Sequence, residues 1–144
     1  MAPYVTDVPL RWSDQDAYGH VNHARVVTLL EEARAGLLFD AAVRDGAAAF
    51  EAGLLVASVE VRYRRPIPWS IGGVRVEMET HEVRAASFRV RYRMLLADPG
   101  GGWDPKQAVE ASTQLVPYDL ASARPRRLTD DERTFLAAYQ ESPA

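Results

Sequence analysis

The sequence predicts an α+β domain in which an antiparallel sheet wraps around one long helix. Two observations predict it: an apolar pattern at helical spacing near the N-terminus, and later segments in which apolar and charged residues alternate. A sheet with one apolar and one charged face must bury the apolar face, and the long helix can cover it. At 144 residues the chain has the size of one domain, so we expect residues 1–144 to form a single domain.

The long helix is predicted to begin at His23. Apolar residues recur there at spacings of three and four, namely Val26, Val27, Leu30, Ala33, Leu37 and Leu38. Asn22 stands just before the helix and is a favoured N-cap, because its side-chain oxygen can accept a backbone N–H of the first turn. Glu31 and Glu32, beside Arg34, are expected to lie on the solvated face.

Strands are predicted where the period changes to two. The predicted strands cover about 4–12, 59–64, 74–79, 88–94 and 106–116. A short second helical segment is expected at about 40–51, ended by Gly53, and a C-terminal helix from Thr129-Asp130 to about Tyr139. Gly100-Gly101-Gly102 lacks the context of a phosphate loop and is interpreted as a hairpin turn. The predicted fold is therefore a five-stranded antiparallel sheet around one long helix, with a short C-terminal helix.

Composition excludes several classes of function. The formal net charge of −3 gives no basic surface for nucleic acid. No secretory signal is visible, and no apolar stretch reaches the roughly 18 residues needed to span a bilayer. The chain contains no cysteine, which removes disulfides and thiolate chemistry and fits a reducing compartment. We expect a cytoplasmic protein that binds neither nucleic acid nor membranes.

Acids and histidines converge immediately before the long helix, in the run Arg11-Trp12-Ser13-Asp14-Gln15-Asp16-Ala17-Tyr18-Gly19-His20-Val21-Asn22-His23. A helix N-terminus presents unpaired N–H groups and a partial positive charge, so it can stabilise an oxyanion. Asp16 could attack an acyl carbon there, or activate a water that attacks it. These groups suffice for thioester hydrolysis. Alternatively, Asp14 and Asp16 could merely form loop turns and help to cap the helix.

Other polar residues leave further alternatives open. His20 and His23 with a nearby Asp offer metal ligands, but no HExxH-type helical spacing is present, and a metal site is not predicted. The cluster Arg62-Arg64-Arg65 could bind phosphates or form ion pairs with glutamates of a facing strand. His81 falls on the polar face of a strand and is expected to be solvated.

The run Asp14-Gln15-Asp16-Ala17-Tyr18-Gly19-His20-Val21-Asn22, followed by Leu30-Glu31-Glu32-Ala33-Arg34, resembles the 4-hydroxybenzoyl-CoA thioesterase-like family of the hotdog superfamily. The resemblance covers nearly the whole chain, because the order of one strand, one helix and four strands agrees. Arg64-Arg65-Pro66 and the segment from Tyr118-Asp119 to Arg127 also resemble the family's strand end and tail. The resemblance implies a hotdog-fold acyl-CoA thioesterase that releases free acid and CoA without a cofactor.

The resemblance also implies roles for individual residues. The second acid of the D-x-D motif is the catalytic carboxylate, which is Asp16, and the thioester carbonyl is bound by the backbone amide at the helix start, which is His23. Substrate-binding positions fall on Gly19, His20, Val21 and Asn22, with Arg64 and Arg65, and more weakly Arg126 or Arg127, as candidates for CoA phosphates. His23 replaces the family's usual second Asn, and Val26 or Val27 replaces a frequent aromatic. The acyl preference is therefore not given by the resemblance.

Partners and rival functions follow from the same comparison. The resemblance implies a homodimer, or a tetramer that is a dimer of dimers, acting on acyl-CoA or an acyl-carrier thioester. A hotdog acyl-CoA hydratase or dehydratase is an alternative, since His20 and Asp16 could mimic its acid-base pair. A non-catalytic acyl-CoA-binding protein is the other.

Overall fold

The computed structural model describes residues 2–142 of the chain. Its elements follow the predicted order, and their bounds are β1 Tyr4–Val8, α1 His23–Ala35, α2 Ala42–Arg44, β2 Leu54–Tyr63, β3 Val74–His81, β4 Phe88–Leu96, β5 Val109–Asp119, β6 Arg124–Pro125 and α3 Asp130–Ala137. The five long strands, the long helix and the short C-terminal helix confirm the predicted fold. The two-residue β6, which pairs with the end of β5, was not predicted.

The long helix begins as predicted. The side chain of Asn22 accepts the N–H of Ala24 at 2.9 Å, so Asn22 is the N-cap. The predicted second helix at 40–51 is wrong in its bounds. Instead, α1 continues without a break through a π-helical segment, Gly36–Ala41, into α2, and the three together form one helical rod. Its apolar face also continues, with Leu37, Leu38, Ala41 and Ala42 all buried. The rod ends near Gly46, whose φ of +89° suits a residue just after a helix.

The sheet is antiparallel throughout, with the strand order β1-β3-β4-β5-β2. Buried and more exposed residues alternate along β3, β4 and β5, as the sequence predicts. Their inward side chains form one core with the buried face of α1; this core includes Leu29, Leu30, Val76, Met78, Phe88, Val90, Tyr92 and Met94. The charged residues of these strands lie on the opposite face.

Two strands differ from their predictions. β1 ends at Val8, before Pro9, which has no N–H to donate to a neighbouring strand. β2 lies at an edge of the sheet, where Leu54 and Val61 pack against the core but several other apolar side chains of the strand are left exposed. Leu55, Val56 and Val59 are 45%, 46% and 44% exposed. The predicted strand is thus present, but its apolar face is only partly buried in the single chain.

The structure contains no helix, among residues 2–142, that is long and apolar enough to cross a bilayer.

Candidate active site

The loop before α1 is organised by Asp14. This carboxylate is 2% exposed and accepts the backbone N–H of Arg11 at 2.7 Å. The carbonyl of Asp14 accepts the N–H of Asn22 at 2.9 Å, which joins the two ends of the loop. Asp14 therefore has a structural role, as one of the two interpretations of the acidic pair predicts.

Asp16 forms a tight turn with the residues that follow it. Its Oδ1 accepts the N–H of Tyr18 at 2.8 Å and the N–H of His20 at 3.3 Å, while its own N–H donates to the carbonyl of His20 at 2.7 Å. Gly19 completes the turn with a φ of +76°, a conformation that favours glycine. These bonds orient the carboxyl group through one oxygen, and Oδ2 takes no part in them.

A second segment holds this loop in place. Val21 donates its N–H to the carbonyl of Ile67 at 2.8 Å, and Trp69 donates its N–H to the carbonyl of Gly19 at 2.9 Å. The indole N–H of Trp69 also donates to the carbonyl of Arg11 at 2.9 Å. On the other side, the guanidinium of Arg11 pairs with Glu32 of α1. The prediction that Glu32 simply faces solvent is therefore incomplete, because this carboxylate ties the helix to the loop.

A cavity of about 280 Å³ opens at the first turn of α1. It is lined by Val21, His23, Val26, Tyr63, Arg64, Arg65, Pro66 and Ile67. Four of the predicted site residues, Val21, His23, Arg64 and Arg65, are thus brought together. His23 is the first residue of the helix, so its N–H is one of those that a helix leaves without an intrahelical acceptor.

The other predicted site residues do not line this cavity. Asp16, Gly19 and His20 belong to the turn described above, and Asn22 uses its side chain as the N-cap. The loop folds back so that Gln15 pairs with Val21, which places Asp16 in the turn next to this cavity-lining residue, although the carboxylate is not itself part of the cavity wall.

The two arginines at the cavity wall form ion pairs. Arg64 donates to Glu110 at 2.8 Å and Arg65 donates to Asp104 at 3.1 Å. The hydrogen bond from Arg64 lowers the pKa of Glu110. The pKa of Asp104 is lowered first by the N–H of Lys106 and then by Arg65. The predicted ion pair with a glutamate of a facing strand is found for Arg64 alone, because Arg65 pairs with Asp104 of a loop and Arg62 pairs with Glu60 of its own strand.

Sequence reasoning missed Tyr63 and Ile67 of the cavity wall, and Tyr63 is the one with a polar contact to the helix. Its hydroxyl donates to the carbonyl of His23 at 2.8 Å, and its ring meets the imidazole of His23 edge-on. The available signal was an aromatic residue directly before Arg64-Arg65-Pro66, the strand end used in the family resemblance. Among residues 2–142, no group of three or more His, Asp and Glu side chains is arranged to hold a metal ion.

The family is decided by a sequence profile. The profile of the Thioesterase-like superfamily matches residues 10–137, which include the acidic loop, α1 and the strands from β2 to β5. The chain belongs to this superfamily. The predicted activity, a thioester hydrolase, is confirmed at the level of this family. A search of curated proteins found no match for this thioesterase.

Solved structures agree with the fold. A predicted thioesterase from Bacillus stearothermophilus has a TM-score of 0.80 at 19% identity, covering 99% of this chain and 100% of its own. A Thermus thermophilus thioesterase in complex with coenzyme A and Zn has a TM-score of 0.74 at 26% identity, covering 99% and 98%. A 1,4-dihydroxy-2-naphthoyl-CoA thioesterase from Synechocystis has a TM-score of 0.71 at 15% identity, covering 93% and 95%. The hotdog fold of this thioesterase is thereby confirmed.

Proposed function

We propose that this thioesterase hydrolyses acyl-CoA to the free acid and CoA, with the Asp16 carboxylate and the His23 N–H as its two catalytic groups. The observation that carries the proposal is the cavity at the start of α1, which His23 lines. In the loop that leads to it, the N–H groups of the turn donate to Oδ1 of Asp16 and leave Oδ2 for the reaction. The CoA complex of the Thermus thioesterase and the name of the Synechocystis enzyme support CoA esters as the substrate class.

The proposed chemistry needs two events at the thioester carbon. The carbonyl oxygen accepts the N–H of His23 and lies at the positive end of the α1 dipole, so the negative charge that develops there is stabilised. Asp16 then either takes a proton from a water that adds to the carbon, or adds to the carbon itself and is released by water afterwards. In both routes the C–S bond breaks, CoA leaves as the thiol, and water supplies the oxygen of the acid.

Homodimerisation is part of the proposal. β2 is a ten-residue edge strand with three exposed apolar side chains, Leu55, Val56 and Val59, and unpaired edges of this kind are sites of strand pairing. Tyr63, at the end of the same strand, is 49% exposed and belongs to the cavity wall. A second copy paired along β2 would therefore cover the apolar strand beside the active site. The assembly of two such dimers into a tetramer stays a prediction from the sequence. The cytoplasmic location is likewise a prediction.

Contacts to the CoA phosphates are proposed for Arg64 and Arg65. Both residues line the cavity. The side chain of Arg64 is 51% exposed, so it can exchange Glu110 for a phosphate without any change in the packing of the core. Gly19, His20, Val21 and Asn22 are proposed to shape the substrate site through their backbone, because they build the loop that leads into the helix.

The test is thiol release from a panel of acyl-CoAs by wild type and Asp16→Asn. The amide oxygen of Asn can accept the same two N–H bonds, so the turn should persist while kcat falls by at least about a hundredfold. Asp98→Asn is the matched control, because Asp98 also accepts an N–H two residues ahead, that of Gly100 at 3.0 Å, in the distant β4–β5 turn. This control should keep wild-type activity.

The outcomes separate the rival functions. Equal turnover by wild type and Asp16→Asn would remove Asp16 from the mechanism. An enoyl product from a 3-hydroxyacyl-CoA would identify a hydratase or dehydratase, and tight acyl-CoA binding with no thiol release would identify a binding protein. Release from acyl-carrier thioesters alone would correct the substrate from CoA to the carrier.

A further inference from the structure

Tyr63 joins the end of β2 to the start of α1. Its hydroxyl donates to the carbonyl of His23 at 2.8 Å. The ring centroids of Tyr63 and His23 are 6.4 Å apart and their planes are at 80°. The strand is fixed directly beyond Tyr63, where the N–H of Arg64 donates to the carbonyl of Ala108 at 2.8 Å. The first turn of the helix is therefore attached, through one side chain, to a position of the sheet that is itself held by backbone hydrogen bonds.

The same pair of rings forms one side of the cavity. Its apolar floor consists of Val21, Val26 and Ile67, all of which are buried. The volume is about 280 Å³, and a water-sized group occupies about 30 Å³, so the cavity holds on the order of nine non-hydrogen atoms. This space, which the single chain offers beside the first turn of α1, suits a single-ring or short-chain acyl group.

We infer that Tyr63 is a positioning and specificity residue of the thioesterase site, which thereby takes compact acyl groups. Its ring limits the length of the acyl group in the cavity. Its hydroxyl holds the first turn of α1, where the N–H of His23 receives the thioester carbonyl. The inference rests on the proposed function and names the substrate class of that same site.

Two variants separate the roles of the ring and the hydroxyl. Tyr63→Phe keeps the ring and removes the hydrogen bond, so kcat should fall about three- to tenfold for every acyl-CoA, with KM and the order of preference unchanged. Tyr63→Val removes the ring but keeps a residue that favours strands. The kcat/KM ratio of octanoyl-CoA to benzoyl-CoA should then rise by at least about tenfold, because methylene groups gain room in an apolar pocket.

Tyr118→Phe is the matched control. Tyr118 lies near the end of β5 that pairs with the start of β2, whereas Tyr63 pairs with Val109 at the other end. Removing its hydroxyl should leave kcat and the acyl preference at wild-type values. Thermal melts of all variants show whether each is folded.

The decisive experiment measures thiol release from butyryl-, benzoyl-, octanoyl- and palmitoyl-CoA. Wild type is expected to prefer the compact substrates, and Tyr63→Val is expected to shift toward octanoyl-CoA. If wild type releases thiol but prefers palmitoyl-CoA, or if Tyr63→Val and Tyr63→Phe both match wild type, the inference about Tyr63 is overturned while the thioesterase stands. If wild type releases thiol from no substrate, the proposed function fails, and this inference fails with it.

Discussion

Arg126 and Glu132 form a bidentate ion pair beneath the C-terminal helix, with hydrogen bonds of 2.7 and 2.9 Å. Glu132 has no exposed surface, and it also closes the capping box of α3 by accepting the N–H of Thr129 at 2.8 Å. The hydrogen bonds that Arg126 donates to Glu132 raise the pKa of Arg126. Since this guanidinium also donates to the carbonyl of Ala49 at 2.9 Å, it is committed to structure, which argues against its suggested contact with CoA phosphates.

Breaking this pair should destabilise the protein strongly. Arg126→Leu leaves the buried carboxylate of Glu132 without its partner, and we expect a loss of about 3–5 kcal/mol in the free energy of unfolding. Denaturant unfolding measures it. Arg127→Leu, at the exposed neighbouring position, is the control and should change stability by less than about 0.5 kcal/mol. If Arg126→Leu also lowered the free energy of unfolding by less than about 0.5 kcal/mol, the ion pair would contribute little to stability.

Arg64 and Arg65 should affect substrate binding rather than chemistry. Arg64→Gln and Arg65→Gln are each expected to raise KM for acyl-CoA about tenfold with kcat unchanged, because a phosphate contact is the same in the ground and transition states. The acyl-pantetheine ester, which lacks the nucleotide phosphates, provides the comparison, and its KM should not change. Arg62→Gln is the control, since Arg62 pairs with Glu60 and does not line the cavity. An equal rise in KM for both substrates would exclude the phosphate contacts.

Features set by neighbouring residues could be predicted from the sequence. The N-cap at Asn22 depends on an oxygen and an N–H two residues apart, and the alternation in β3, β4 and β5 depends on a core that this chain itself supplies. The alternation in β2 indicates apolar side chains that need a cover, but it does not tell whether the cover is in the same chain. That is why the strand itself could be predicted, but the exposure of part of its apolar face could not.

Contacts between remote segments could not be predicted in this way. Tyr63 meets His23 across 40 positions of sequence, and no spacing rule connects them. The same reason explains the wrong prediction that His81 is solvated. The chain returns after α3 so that Gln140 lies beside Thr80, and the N–H of Glu141 donates to the carbonyl of Thr80 at 2.8 Å. This segment pairs with the edge of β3 beside His81, and Glu141 forms an ion pair with Arg91 of the neighbouring strand.

His81 should make stability depend on pH. Burial, and then the charge of Arg91, lower the pKa of His81 below its ordinary value of 6.5, and the opposing effects of Glu141 and Glu82 are smaller. Its Nε2 is buried and, within the described residues, without a hydrogen-bond partner. As the pH falls below about 6.5, the unfolded chain therefore binds the proton first, and the free energy of unfolding decreases until the lowered pKa is passed.

His81→Gln tests this dependence. It removes the titrating group, so the decrease below pH 6.5 should be shallower than in wild type, while above about pH 7.5 the two proteins should differ by a constant amount. Urea unfolding at a series of pH values measures both. Parallel curves across the whole range would mean that His81 titrates alike in the folded and unfolded chains.

The exposed β2 strand should be the dimer contact. Val59→Lys places two like charges near each other if two copies pair along β2, and we expect the dimer to weaken by at least about a hundredfold. Sedimentation measures the association, circular dichroism checks the fold, and thiol release should fall together with dimer content if the partner completes the site. Ile71→Lys is the control, because Ile71 is 93% exposed in the loop before β3, away from this strand, and both association and activity should persist. A wild-type protein that is monomeric and fully active at micromolar concentration would contradict this assembly, since the apolar strand would then face water in the working enzyme.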